Sequence, residues 1–106
     1  MKLVLSKSQI GVDYQKVVFS GHAVKQMFQR KISRDEVKAV LDYGEVIAEY
    51  PEDRPYPSYL MLNMVSQRPI HAVVAKDAET QTIYVVTVYE PDVELWQADF
   101  KTRKKV

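Results

Sequence analysis

The chain of 106 residues contains no cysteine, only two histidines and only three glycines. Without cysteine it forms no disulfide, carries out no thiolate catalysis and holds no cysteine-ligated zinc, which is typical of a reducing cytoplasm. No hydrophobic run approaches the roughly 20 residues that span a membrane, and residues 1–5 lack the pattern of a signal peptide. We therefore predict a soluble cytoplasmic protein that contacts no membrane.

The few histidines and glycines also argue against bound metals and nucleotide cofactors. His22 and His71 lie 49 positions apart without a nearby carboxylate cluster at ligand spacing, so we predict no metal site. No P-loop, dinucleotide-binding glycine motif or nucleophile elbow is present. We accordingly expect no cofactor.

The length predicts a single domain over residues 1–106, with a core from about 17 to 96 and a basic tail over 97–106. The charges are segregated although the net charge is only +1. Residues 1–43 carry eight Lys/Arg and four Asp/Glu, residues 44–100 carry three and ten, and residues 101–106 carry four Lys/Arg. Joined in space, the two basic ends would attract phosphate backbones, whereas separately they would only keep the surface soluble.

Local patterns predict two helices in the first half of the chain. Ser20 is a suitable N-cap for a helix ending near Lys31. Ser33 and Glu36 have the spacing of a capping box for a second helix, which Gly44 would end.

Strand periodicity follows from Glu45 onward, and three prolines in residues 51–57 mark an irregular loop. Short links between strands favour an antiparallel meander. The predicted fold is α+β, two helices packed on an antiparallel sheet of about four strands. These strands are Glu45–Tyr50, Ser58–Val65, Pro69–Ala75 and Thr82–Tyr89. A further edge strand is predicted at residues 17–19 or 3–5, and a helical turn at residues 92–97 before the tail.

The first helix carries the sharpest candidate for chemistry. His22, Gln26 and Arg30 recur at i, i+4 spacing and fan across roughly 80° of its surface. His22 would act as a general base, while Arg30, Lys25 and Gln26 would hold a phosphate. The same row would equally be a solvated helix edge. It borders the core-facing side of the helix, which carries Ala23, Val24, Met27 and Phe28.

His71 lies in a strand that is apolar on both faces, so it is either a buried structural histidine or the acid partner of His22. Strict alternation places Tyr89 on one strand face with Ile83 and Val85. There Tyr89 would pack in the core or contact RNA. In the tail, Lys101 and Arg103 would form a mobile arm that contacts phosphate.

Several short motifs together resemble the bacterial family known as domain of unknown function 4258. They are Phe19–Ala23 with Gln26, Met27 and Arg30, then Ile32-Ser33, Glu36-Val37, Gly44–Ile47, His71–Val74 and Val86–Pro91. Its helix–helix–sheet pattern is similar to the RelE-like and BrnT-like ribonuclease toxins. The resemblance implies a metal-independent endoribonuclease held inactive by an antitoxin, with the family's histidines at His22 and His71 and its basic helix position at Arg30.

Two hypotheses about function therefore stay open. The first is an endoribonuclease of toxin–antitoxin type, or an RNA-binding relative of one, with a site built from His22, Arg30, His71 and Tyr89. The second is a non-catalytic protein-interaction module or homodimer, because two helices cover only one of two apolar sheet faces.

Overall fold

The computed structural model describes residues 10–105 and shows two helices packed on one face of a five-stranded sheet. The strand order across the sheet is β1-β5-β4-β3-β2, with β1 parallel to β5 and the other neighbours antiparallel. The elements in chain order are β1 (Lys16–Phe19), α1 (Gly21–Arg30), α2 (Arg34–Tyr43), β2 (Glu45–Tyr50), β3 (Ser58–Val65), β4 (Arg68–Asp77) and β5 (Thr82–Tyr89).

The predicted helix boundaries are confirmed to within a residue because they depend on local capping. The Ser20 side chain accepts a hydrogen bond from the Ala23 amide, and both hydrogen bonds of the Ser33–Glu36 capping box form. Helix α1 ends at Arg30, and its C-cap Lys31 has a left-handed conformation with φ of 57°. Gly44 ends α2 in an extended conformation, so it does not form a left-handed turn. Glycine is needed here because neighbouring backbone lies too close for a side chain.

The prediction of a wholly antiparallel sheet is wrong in one respect. Residues 16–19 form β1, which pairs with β5 in parallel and makes the sheet mixed. The parallel pairing continues at Ser20, whose amide donates to the Val85 carbonyl at 3.1 Å. The alternative edge strand at residues 3–5 lies outside the described residues.

A β-bulge in β5 corrects the predicted position of Tyr89. Val73 pairs with Thr87 but Val74 pairs with Val85, so Val86 is an extra residue. An extra residue reverses the side-chain alternation beyond it. Tyr89 consequently lies on the face of its partner His71, opposite Ile83 and Val85.

The core lies between the helices and the sheet. Helix α1 contacts β5, whereas α2 contacts β3 and β4. The Asn63 amide donates to the Ala39 carbonyl and joins β3 to α2 at 3.1 Å. The fully buried side chains of this layer include Ala23, Val37, Val40, Leu41, Met61, Ile70, Ala72, Val74, Ile83, Val85 and Val88.

The chain itself covers parts of the opposite sheet face, which we call the far face. At one end the loop after β2 places the Tyr56 ring parallel to that of Tyr84, with centroids 5.5 Å apart. At the other end residues 92–103 fold back, beginning with the predicted turn, in which the Trp96 amide donates to the Asp92 carbonyl at 3.0 Å. Trp96 then bridges to Arg103. Residues 97–103 are therefore packed on the domain, and the predicted mobile arm is wrong for this part of the tail.

Two glycines allow a matched test of how closely the backbone packs at the end of α2. A Cβ at Gly44 would lie 2.4 Å from the Val40 carbonyl oxygen, whereas one at Gly21 would meet nothing within 4 Å. We expect Gly44→Ala to lower the free energy of unfolding by about 1–3 kcal/mol. Gly21→Ala should raise it by about 0.4–1 kcal/mol, because alanine restricts the unfolded chain. Urea unfolding of both variants measures this, and equal effects would contradict the packing described for Gly44.

Candidate functional site

Helix α1 is fixed to the sheet at the β5 bulge. The Ser20 hydroxyl donates to the Val86 carbonyl at 3.0 Å while its oxygen caps the helix through the Ala23 amide at 2.9 Å. Ala23 and Met27 are buried. The helix therefore presents its other residues outward from a fixed base.

The outward side of α1 is basic and partly apolar, and we call it the α1 surface: His22, Val24, Lys25, Phe28, Arg30 and Lys31. Phe28 is 87% exposed and Val24 is 49% exposed. The assignment of these two residues to the core-facing side is therefore wrong. From Tyr14 through Arg34 the chain has no Asp or Glu and five Lys or Arg. The α1 surface is thus basic in composition and exposes the aromatic ring of Phe28.

Gln26 and Arg30 form a local pair on α1. The Arg30 Nε donates to the Gln26 Oε1 at 2.9 Å. This hydrogen bond restrains the guanidinium and gives Gln26 an orienting role. Two helical turns separate His22 from Arg30, which is about 12 Å along the axis.

Arg68 anchors the C-terminal end of α1, and the sequence analysis missed it. Its guanidinium donates to the Arg30 carbonyl at 2.6 Å and the Lys31 carbonyl at 3.0 Å, and it pairs with Glu36 and Glu90. The cation thereby satisfies carbonyls at the negative end of the helix dipole. No local motif marks this role, because Arg68 begins β4, far along the chain from α1.

His71 is fully buried at the far face, beneath residues 92–103. Its Nε2 lies 2.8 Å from the Phe100 carbonyl oxygen, which only accepts, so Nε2 carries the proton. The Nδ1 atom then accepts from the Tyr89 hydroxyl at 3.2 Å. The Trp96 ring packs edge-on against the imidazole, with centroids 4.6 Å apart. Burial lowers the pKa of His71 from its ordinary value, although the Phe100 carbonyl opposes this, and the ring is held neutral.

The groups around His71 hold the tail in place. The pKa of Tyr89 is raised, mainly by burial and to a smaller extent by the Tyr50 phenol. The Tyr89 hydroxyl therefore stays protonated and serves as a donor. The Asp99 carboxylate accepts from the amides of Lys101 and Thr102 at 2.9 and 3.0 Å and shapes the turn that carries the Phe100 carbonyl. The arrangement is that of a structural latch.

The cations predicted in the tail have intramolecular partners. Lys101 pairs with Glu45 at 3.1 Å. The Arg103 guanidinium lies 5.3 Å from the centre of the Trp96 ring. Both contacts hold the tail on the far face.

The structure thus divides the predicted site residues into two groups. One lies on α1 and comprises His22, Lys25, Gln26 and Arg30. The other lies at the far face and comprises His71, Tyr89, Lys101 and Arg103. The sheet separates them, because α1 packs on the face formed by Ile83 and Val85 while His71 points to the opposite one. The paired-histidine site expected from the sequence is not assembled.

The fold and these two groups define a small α+β protein with a basic helix surface on one side and a latched histidine on the other. The chain belongs to the family described as Domain of unknown function (DUF4258), whose match covers residues 19–90 and therefore more than half of the chain. No curated protein and no solved structure matches it.

Two further findings concern residues 10–105. Neither of the helices found there is long and apolar enough to cross a membrane. Within the same residues, no three histidine or acidic side chains are grouped so that they would hold a metal ion.

The latch predicts a pH-dependent stability. Because the folded-state pKa of His71 lies below its ordinary value of 6.5, the unfolded chain binds a proton more readily. The stabilisation is fully present above about pH 6.5 and is lost as pH falls toward the lowered folded-state pKa. Urea unfolding between about pH 7.5 and 5, followed by emission of the single Trp96, measures this loss.

Matched variants separate the two histidines. His71→Gln retains an amide donor for the Phe100 carbonyl but does not titrate, so we expect a flatter stability profile over this pH range. His22→Gln, on the exposed helix surface, should retain the wild-type profile. A profile unchanged by His71→Gln would contradict the assignment of the latch.

Proposed function

We propose that this protein binds RNA through the α1 surface. One observation carries the proposal: the cations Lys25 and Lys31 lie three positions before and after the exposed Phe28, in a stretch of chain without acidic residues. Arg30 adds a third cation on another side of the same helix. Cationic side chains that neutralise phosphates supply most sequence-independent nucleic-acid affinity. Aromatic rings among such cations are typical of surfaces that contact bases.

Each cation has a distinct role in the proposed contact. Arg30, restrained by Gln26 at 2.9 Å, offers a planar fork to two phosphate oxygens. Lys25 and Lys31 supply point charges to either side of Phe28. None of the ion pairs formed within residues 10–105 involves these three residues, so phosphate binding displaces no internal carboxylate.

The distribution of charge supports the choice of α1 over the tail. Lys101 and Arg103 already contact Glu45 and Trp96, so phosphate binding there would disturb the latch. The acidic middle of the chain, with three Lys/Arg and ten Asp/Glu over residues 44–100, repels a phosphate backbone. An approaching strand is therefore directed toward α1.

RNA cleavage by two histidines is not part of the proposal. A general base and a general acid must both reach one phosphodiester, and the sheet lies between His22 and His71. We therefore infer an RNA-binding relative of the ribonuclease toxins that binds without cutting. The antitoxin partner and the homodimer remain predictions from the sequence.

Charge variants test the surface. We expect fluorescence anisotropy to show wild-type binding to a labelled oligouridylate at low salt, tighter than the roughly 10⁻⁴–10⁻⁶ M typical of sequence-independent complexes at physiological salt. Lys25→Gln and Arg30→Gln should each weaken binding and reduce the slope of log affinity against log salt by about 0.7, the value per phosphate contact on a single strand. Lys101→Gln removes the same charge from the far face and should leave affinity unchanged.

Three outcomes would overturn the proposal. Wild-type protein that binds no RNA at low salt would refute it, and so would weakening by Lys101→Gln instead of Lys25→Gln. The recovered RNA should be intact. New RNA ends that disappear with His22→Ala would replace the binding function by a ribonuclease centred on α1.

A further inference from the structure

The Phe28 side chain borders a shallow, open groove of about 620 Å³, which we call the Phe28 groove and which is lined by Val24, Met27, Phe28, Lys31, Ile32 and Ser33. Met27 and Ile32 are buried and form its apolar floor. Phe28 and Val24, one helical turn apart, form a wall that stands in solvent. A ring this exposed is available to a flat apolar ligand.

The backbone at the end of α1 fixes the shape of the groove. The Ile32 amide donates to the Met27 carbonyl at 2.9 Å, and Lys31 adopts φ of 57° and ψ of 48°. This turn buries Ile32 and places Lys31 at the rim. Arg68 holds the same turn from the sheet side, through the Arg30 and Lys31 carbonyls. The groove is therefore formed before a ligand arrives.

Charge complementarity identifies the occupant. No acidic residue lines the groove, Lys31 lies at its rim, and Lys25 is three positions before Phe28 on the same helix. The complementary ligand has a flat apolar face with negative charges a few ångströms away. An unpaired nucleotide within a strand has this composition, since every base offers a π-face and the sugar that carries it is flanked by phosphates.

Resting on the proposed RNA binding, we propose that the Phe28 groove takes one unpaired base of single-stranded RNA, which stacks on Phe28 while Lys25 and Lys31 contact the flanking phosphates. Base-paired RNA hides its base faces within the helical stack and offers only its backbone and groove edges. The α1 surface consequently selects single strands over duplexes.

Substitution of Phe28 separates stacking from charge. Phe28→Ala should weaken binding of a single-stranded oligonucleotide about 5- to 150-fold, the range for loss of one base–aromatic stack, without changing the salt slope. Phe28→Trp should preserve or tighten binding, because indole is a larger stacking surface. The same strand annealed to its complement should bind more weakly than the single strand and be insensitive to Phe28→Ala.

The result that overturns the stacking proposal differs from the one that overturns RNA binding. Equal affinities of wild type and Phe28→Ala for the single strand, with Lys25→Gln still weakening it, would refute the stack and leave RNA binding standing. Absence of binding by wild type would refute both. Because Phe28 is so exposed, Phe28→Ala should keep the wild-type melting temperature, which checks folding.

Sedimentation velocity without RNA tests whether the Phe28 groove binds a second copy of the protein instead of RNA. Any self-association of the wild type across a concentration series should be unchanged by Phe28→Ala. Self-association that Phe28→Ala abolishes, together with unchanged RNA affinity, would assign the groove to a second copy of the chain and refute the stack.

Discussion

The extra residue Val86 in β5 helps to position both the α1 surface and the latch around His71. It has no partner in β4, and its carbonyl accepts from the Ser20 hydroxyl that also caps α1. Beyond it the alternation of β5 reverses, so Tyr89 reaches His71 across the far face. Without the bulge, Tyr89 would point toward the helices and α1 would lose this contact with the sheet.

Arg68 provides the corresponding constraint at the other end of α1. It binds the last carbonyls of the helix while Glu36 and Glu90 balance its charge. These two carboxylates lie close to the basic helix but are occupied by Arg68. The helix is thus held at both ends, and the cations on its outer side remain available to a ligand.

The parts of the structure that could be predicted from the sequence are those whose causes lie close together along the chain. The Ser20 cap, the Ser33–Glu36 box and the strand segments needed only local patterns. Three features depend on partners far along the chain, which periodicity does not reveal. They are the parallel pairing of β1, the bulge in β5 and the role of Arg68. The separation of His22 from His71 follows from these long-range features, so no local pattern could predict it.

Phe28 shows a different limit of sequence reasoning. Apolar residues on a helix are normally assigned to the core, but α1 lies over the β1–β5 side of the sheet and buries only Ala23 and Met27. Single exposed apolar side chains are common on protein surfaces and need no explanation. Here Val24 and Phe28 are adjacent, line one groove and stand in a stretch with charges of one sign.

A surface that only maintains solubility has mixed charges and scattered apolar groups. The α1 surface departs from both expectations at the same place, since Lys25 and Lys31, which form no ion pair within the described residues, flank the Val24–Phe28 wall. A purely apolar partner would leave the cations without counter-charges, and a simple anion would leave Phe28 in water. A ligand that satisfies both must carry a flat apolar group and negative charge within a few ångströms of each other, and a single-stranded nucleic acid repeats that combination at every residue.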